Sequence, residues 1–177
     1  MNRRDLLRVS VAAFALTACG GVRADDAVKS THTPEVSLTA EEWQTHLTGE
    51  EYRVLRDHGT ERAFTGDLWD HKGDGIYTCA GCGAPLFDSA TKFKSGTGWP
   101  SYFQPVADER IREVRDTAFG MVRVETRCAR CDGHLGHVFP DGPKPTGQRY
   151  CINSESLDFV PRAQAAELGP VKLGGHQ

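Results

Sequence analysis

Four of the chain's six cysteines fall into two pairs by spacing, and Cys19 and Cys151 stand alone. Cys79 and Cys82 form one C-x-x-C in "YTCAGCGAPLF", and Cys128 and Cys131 form another in "TRCARCDGHLG". Two intervening residues let both sulfurs face one ion while the backbone turns beneath them. A glycine at or just after the second cysteine (Gly83, Gly133) suits that tight approach. Two such knuckles predict a closed, four-thiolate zinc site with a structural role. Forty-five residues separate Cys82 from Cys128, so the ion would staple two distant segments of a sheet. Two other chemistries use the same residues. Disulfides suit an oxidising compartment, and a redox-active C-x-x-C suits a helix start beside a βαβ unit. The strand-and-turn context of both pairs favours zinc.

Cys151 has no such partner in "GQRYCINSES". A single cysteine is either an inert core residue or a nucleophile. Strand alternation would put Arg149, Cys151 and Asn153 on one face. There a cation favours the reactive thiolate, and an amide could orient a polar substrate. Upstream, His134 and His137 stand three apart beside the second knuckle. They could be metal ligands, members of a surface loop, or an acid–base pair near the thiol. Four thiolates already saturate a tetrahedral site, which leaves no role for the imidazoles as ligands there. In "KFKSGTGWPSYF", Trp99 sits between Gly98 and Pro100. It either caps a sheet edge or forms an aromatic wall for a small apolar group.

These residues need elements to hold them. Thr39 with Glu42 and Thr48 with Glu51 match capping boxes, predicting two short helices, the second with Tyr52 and Leu55 on one face and Gly59 as its stop. From Gly75 onward, "GIYTC", "SYF", "GMVRVETRC", "HVF", "RYCIN" and "DFV" are short β-rich runs broken by Gly, Pro and Asp. "MVRVET" alternates as a half-buried antiparallel strand should. With no βαβ spacing, the expectation is a small antiparallel β domain with helices on its N-terminal side.

The first residues carry Arg3, Arg4 and Arg8 before an apolar run from Val9 to Ala18, a signal-peptide pattern of twin-arginine type. "LTAC" predicts a lipidated Cys19; the alternative is cleavage after Ala24. The expected organisation is a signal peptide over 1–18, a polar tether over 19–36, a domain over 37–162 and a loose tail over 163–177. No apolar run spans a membrane in the mature chain, so the expectation is an exported protein, periplasmic or anchored to a membrane through Cys19 alone. The net charge is −3 and no basic stretch follows the leader, which argues against nucleic acid as a partner.

Together, "EEYRVLRDHGTERAFTG", "CAGCGAPLF", "SGTGWPSY", both knuckles and "GHVFPDGPKPTGQRYCINS" resemble the B-type methionine sulfoxide reductases, the peptide-methionine (R)-S-oxide reductases. The resemblance runs from about Thr39 to Arg162. It implies a mainly β fold of two small antiparallel sheets, with structural zinc on Cys79, Cys82, Cys128 and Cys131 away from the catalytic pocket. It implies Cys151 as nucleophile and Trp99 as the cradle of the substrate methyl. His134, His137 and Asn153 would bind and polarise the sulfoxide oxygen, and Arg149 would assist. The substrate implied is an oxidised protein or peptide, and a monomer is expected.

One position departs from the pattern. Many relatives carry a resolving cysteine inside the SGxGWPS stretch, where this chain has Thr97. The oxidised Cys151 would then be regenerated by an external thiol, such as a thioredoxin-like protein, without an internal disulfide.

Overall fold

The structure is a computed structural model that describes residues 32–168. The leader, Cys19, most of the tether and the last nine residues of the tail lie outside the described residues.

Thr39 and Thr48 each open a helix: α1 spans Ala40–His46 and α2 Gly49–Leu55. In both, the threonine hydroxyl accepts from the N–H three residues on, and Glu42 or Glu51 returns its carboxylate to the threonine N–H at 2.7 and 2.8 Å. Helices of two turns gain little from propagation, so satisfying end donors matters here. α2 stops short of Gly59. Arg56 caps it, His58 takes the left-handed turn (φ 55°), and the Gly59 N–H donates to the Arg53 carbonyl at 2.8 Å. Gly59 is needed for room instead, since a Cβ there would lie 2.7 Å from that carbonyl oxygen.

Eight strands follow: β1 (Gly75–Cys79), β2 (Pro85–Asp88), β3 (Ser101–Tyr102), β4 (Ile111–Asp116), β5 (Arg123–Cys128), β6 (His134–Phe139), β7 (Arg149–Ile152) and β8 (Leu157–Pro161). They build two antiparallel sheets, ordered β2-β1-β8 and β3-β7-β6-β5-β4. This is the mainly β, two-sheet architecture that the sequence implies. Two strands escape sequence patterning, and both are sheet edges. Pro85 opens β2, where a missing N–H is tolerated. β4, "IREVRD", is dense in charge, which protects an unpaired edge from other chains.

The polarity of β5 is the reverse of the sequence expectation. Met121, Val122 and Val124 are exposed (49, 71 and 38 %), while Glu125 and Thr126 are buried. The apolar side chains face outward because the inner face of this strand serves buried polar groups, described below.

The core draws on both sheets and both helices. Trp43 and Leu55 from the helices meet Tyr77, Leu86 and Phe87 of the smaller sheet and Tyr102, Leu135 and Ile152 of the larger. Phe87 and Tyr102 stack at 4.3 Å between centroids, and Tyr77 meets Tyr102 edge-on at 5.2 Å. Such pairs contribute about 0.5–1.5 kcal/mol beyond area burial, and they fix one sheet against the other.

Gly136, in the middle of β6, lets β6 and β7 lie close. A Cβ there would fall 2.1 Å from the Cys151 carbonyl oxygen. Gly136→Ala is therefore expected to destabilise the protein by about 1–3 kcal/mol through overpacking, read as a lower urea midpoint of unfolding.

Candidate active site

Strand order decides what surrounds Cys151. β7 is flanked by β3 and β6, and the register sets Ser101 opposite Cys151 on one side and His137 opposite it on the other. On the β3 side the thiol meets hydroxyls: Thr97 Oγ1 is 3.8 Å from Cys151 Sγ, and Ser95 Oγ links Thr97 and Ser101 at 2.9 and 2.7 Å. On the β6 side stand the imidazoles. His134 and His137 lie 5.6 Å apart between ring centroids.

Each histidine is backed by a carboxylate. Glu125 Oε1 lies 2.6 Å from His134 Nδ1 and also 2.9 Å from His58 Nδ1, while Arg127 donates to Glu125 Oε2 at 2.8 Å. Burial opposes its charge, yet His134 and Arg127 hold the Glu125 carboxyl well below the usual range. An ionised carboxylate only accepts, so His134 carries its proton on Nδ1, and a neutral His134 has its lone pair on Nε2. His137 Nε2 lies 2.8 Å from Asp116 Oδ2, which also accepts from Arg123 at 2.6 Å. The Ala118 N–H, with His137 and Arg123, brings the Asp116 carboxyl down to about 2. Asp116 therefore holds the proton on His137 Nε2 and leaves the lone pair on Nδ1. Burial lowers the His137 pKa, only partly offset by Asp116, so the ring is neutral at pH 7. Glu125, Asp116 and His58 were absent from the sequence reading. The one available signal was the placement of Glu125 in β5, masked by the apparent outward-polar alternation of "MVRVET".

Arg149 shares the face of Cys151, as alternation predicts, and both are partly exposed. Its guanidinium pairs with Asp141 at 2.8 and 2.9 Å and lies over Phe139 at 4.5 Å. Arg149 favours the Cys151 thiolate, as expected, but burial outweighs it. Burial pushes the Cys151 thiol up, and Thr97 and Arg149 only moderate it. Cys151 therefore rests as a thiol at neutral pH.

Asn153 departs from the predicted face. β7 ends at Ile152, and a 3₁₀ turn over Ser154–Ser156 follows, so the Asn153 side chain turns inward and is buried. Its Oδ1 accepts from the Glu61 N–H at 3.1 Å and its Nδ2 donates to the Leu135 carbonyl at 3.0 Å. The amide thus braces the segment after Cys151 against β6. Glu61, a further residue without a sequence signal, extends the brace. Its buried carboxylate accepts from the N–H groups of Ser154 and Glu155 at 2.8 and 2.9 Å. Its carbonyl accepts from the Trp99 indole N–H at 3.2 Å. One loop residue therefore ties the half-buried Trp99 to the turn that follows the thiol.

Cys79, Cys82, Cys128 and Cys131 gather with all four sulfurs within 4.8 Å. The Cys79–Cys131 and Cys82–Cys128 separations are 3.7 and 3.6 Å, far beyond a disulfide bond. They match the roughly 3.8 Å edge of a tetrahedron with metal–sulfur bonds of about 2.3 Å, so the four residues could hold a zinc ion. Gly83 takes the left-handed turn of the first knuckle (φ 69°). In the second, Asp132 takes it (φ 58°), held by Arg112 and Arg127. Gly133 serves close packing there, since a Cβ would lie 2.9 Å from Leu55 Cδ2. By register the cluster is set apart from the thiol: Glu125 pairs with His137, and Cys128 lies three residues on, roughly 10 Å along β5.

Comparison with known proteins agrees with this arrangement of a lone thiol, paired imidazoles and a four-cysteine cluster on two small sheets. Residues 47–161 match the SelR domain family. A peptide methionine sulfoxide reductase MsrB of Thiobacillus denitrificans is 60 % identical over 124 residues, covering 70 % of this chain and 94 % of that protein. Proteins of the same name from Synechococcus sp. and Caulobacter vibrioides are each 59 % identical, over 124 and 142 residues, covering 70 and 80 % of this chain and 91 and 89 % of their own length. The chain belongs to this family, the B-type peptide methionine sulfoxide reductases.

Two outcomes follow from the electrostatics. Because the Cys151 thiol is pushed up, its alkylation by iodoacetamide should keep accelerating as the pH rises past 8 instead of levelling off near neutrality; mass spectrometry of the modified peptide reads this rate. Glu125 has a depressed folded pKa, so its stabilising contribution is complete above the unfolded value of about 4.3 and is lost as the pH falls toward the folded value. Glu125→Gln should destabilise the protein at pH 7 by about 1.5–3 kcal/mol, as expected for lost charge-assisted hydrogen bonds. In urea titrations from pH 7 to 3, its stability should fall less steeply than that of the wild type.

Proposed function

We propose that the protein reduces methionine (R)-sulfoxide in oxidised polypeptides, with Cys151 as the nucleophile. The observation that carries this reading is the position of a lone, partly exposed thiol in the ladder between Ser101 and the carboxylate-backed His137. The family relationship supplies the substrate class, and the R configuration rests on that relationship.

A sulfoxide oxygen leaves only once it is protonated, so attack at sulfur needs a nearby acid. Cys151 starts as a thiol. Its proton can move to the sulfoxide oxygen through the histidine side of the pocket as the sulfur attacks. The oxygen then passes to Cys151, giving a sulfenic acid and methionine; cysteine loses two electrons and the sulfoxide gains them. Two thiols of an external reductant restore Cys151, forming one disulfide and one water. Thr97 occupies the position where relatives carry a resolving cysteine, and its hydroxyl is 3.8 Å from the thiol. An external thioredoxin-like protein is therefore the proposed electron donor. Trp99 receives the substrate methyl, while His134 and His137 bind the oxygen. Asn153 and Glu61 keep these groups in register.

The four-cysteine cluster is proposed to hold structural zinc, which would neutralise the thiolates and lock the two knuckles together. The leader suggests an exported protein, lipid-anchored through Cys19, that repairs oxidised proteins outside the cytoplasm.

A dithiol-driven assay on R and S sulfoxides of N-acetylmethionine tests the reading. Wild type should reduce R only, and Cys151→Ser should lose turnover while retaining one zinc per chain by metal analysis. Reduction of S, or turnover by Cys151→Ser, would overturn it. An intramolecular disulfide to Cys151 after one turnover would refute the external-thiol route.

A further inference from the structure

Phe64 is a bulky residue held in the left-handed region, at φ 68°, with 55 % of its surface exposed. Both features are unfavourable for an aromatic side chain, and strain of this kind is retained where surrounding structure enforces it. Here the Phe64 N–H donates to the Gly98 carbonyl at 2.8 Å. Gly98 itself lacks a Cβ where one would strike Phe64 Cδ2 at 2.8 Å. The turn that presents Trp99 therefore also presents Phe64.

The ring meets Trp69 edge-on at 5.2 Å between centroids. Trp69 is fixed in turn, because Lys92 Nζ donates to the Trp69 and His71 carbonyls at 3.1 and 2.9 Å. Phe64, Trp69, Phe93 and Trp99 line one cleft of about 620 Å³ that also takes in Gly96 and Gly98, on either side of the Thr97 whose hydroxyl faces the thiol. Both carboxylates of its lining are paired, Asp70 with Lys72 at 3.6 Å and Asp74 with Arg162 at 2.8 Å, while Lys92 is held by the carbonyls above and Lys94 completes the charged lining, so no carboxylate is left for an ammonium. A free amino acid would bring an ammonium and a carboxylate that need partners of opposite sign. A polypeptide brings neutral amides and apolar side chains.

We propose that this cleft is a subsite for the chain flanking the oxidised methionine, and that the Phe64–Trp69 pair receives an apolar side chain adjacent to it. The proposal rests on the reading of Cys151 and Trp99 given above. It makes the enzyme selective for sequence context, with aromatic surface preformed so that little ordering accompanies binding.

The test uses blocked R-sulfoxide tripeptides, Ac-Gly-Met(O)-X-NH2 and Ac-X-Met(O)-Gly-NH2, with X as Leu, Phe or Gly, beside N-acetylmethionine sulfoxide and the free amino acid. For wild type, kcat/KM should be roughly tenfold higher for Leu or Phe than for Gly on one side of the methionine, through KM. Phe64→Gly should bring that ratio close to one. Its Tm should not fall, because glycine adopts the left-handed conformation without strain, so lost selectivity would not reflect a damaged fold. Equal wild-type rates across X, an unchanged ratio in Phe64→Gly, or a preference for free methionine sulfoxide would each overturn the subsite. Absence of turnover on every R substrate would instead overturn the underlying assignment of the reaction, and the subsite with it.

Discussion

Four sulfurs converging within 4.8 Å decide where the two sheets meet. Cys79 is the last residue of β1 in the smaller sheet, and Cys128 is the last residue of β5 in the larger. Each strand runs into a knuckle, and the two knuckles face each other beneath the helices. Arg56 of the α2 cap sits over Trp43 and donates to the Cys131 carbonyl, and Arg130 donates to that of Cys82. β6 begins three residues after Cys131, so the placement of the second knuckle sets the start of the strand that carries both histidines. Loss of this convergence would free the histidine strand as well as the sheet junction.

The geometry around the thiol divides into two halves with different chemistry. The β3 side offers hydroxyls, which can donate or accept as the charge on sulfur changes. The β6 side offers imidazoles whose protons are already directed to Glu125 and Asp116. A neutral histidine held this way turns its lone pair, not its proton, away from its carboxylate. Under the proposed reaction, a neutral His137 would first take up a proton to activate the sulfoxide, and the Cys151 thiol opposite it in the ladder would be the source. The raised Cys151 pKa is thus consistent with a site that keeps its proton until an oxygen arrives to receive it. The exposed His58 shares Glu125 with the buried His134 and links that buried pair to solvent.

Much of this was legible from residue types and spacing. The capping boxes, the knuckles, the lone thiol and the central strands each follow from local patterns that short-range physics determines. What escaped depends on contacts distant in sequence. Glu125 looked like the outward member of an alternating strand because alternation tells faces apart without saying which face is inside. Asn153 looked like a continuation of β7 because nothing local shows that the strand ends one residue earlier. Glu61 is one loop glutamate among many until Asn153, Ser154 and Trp99 are seen to converge on it. Arg149 shares the face that alternation assigns it and favours the thiolate as expected, but nothing local shows that desolvation of the thiol outweighs a cation already shared with Asp141.

The outward turn of the apolar residues in and just before β5 has a further consequence for a member of this family. The chain has two methionines, Met1 and Met121, and Met121 is half exposed ahead of β5. Among the described residues, the core is built from aromatic and aliphatic side chains together with cysteines of the cluster, and contains no thioether. Oxygen added to methionine makes an apolar side chain polar and disrupts a core that depends on it. At Met121 that damage would fall on the surface, where a new polar group is readily hydrated. Among the described residues, the core offers no methionine to the kind of lesion that this family reduces.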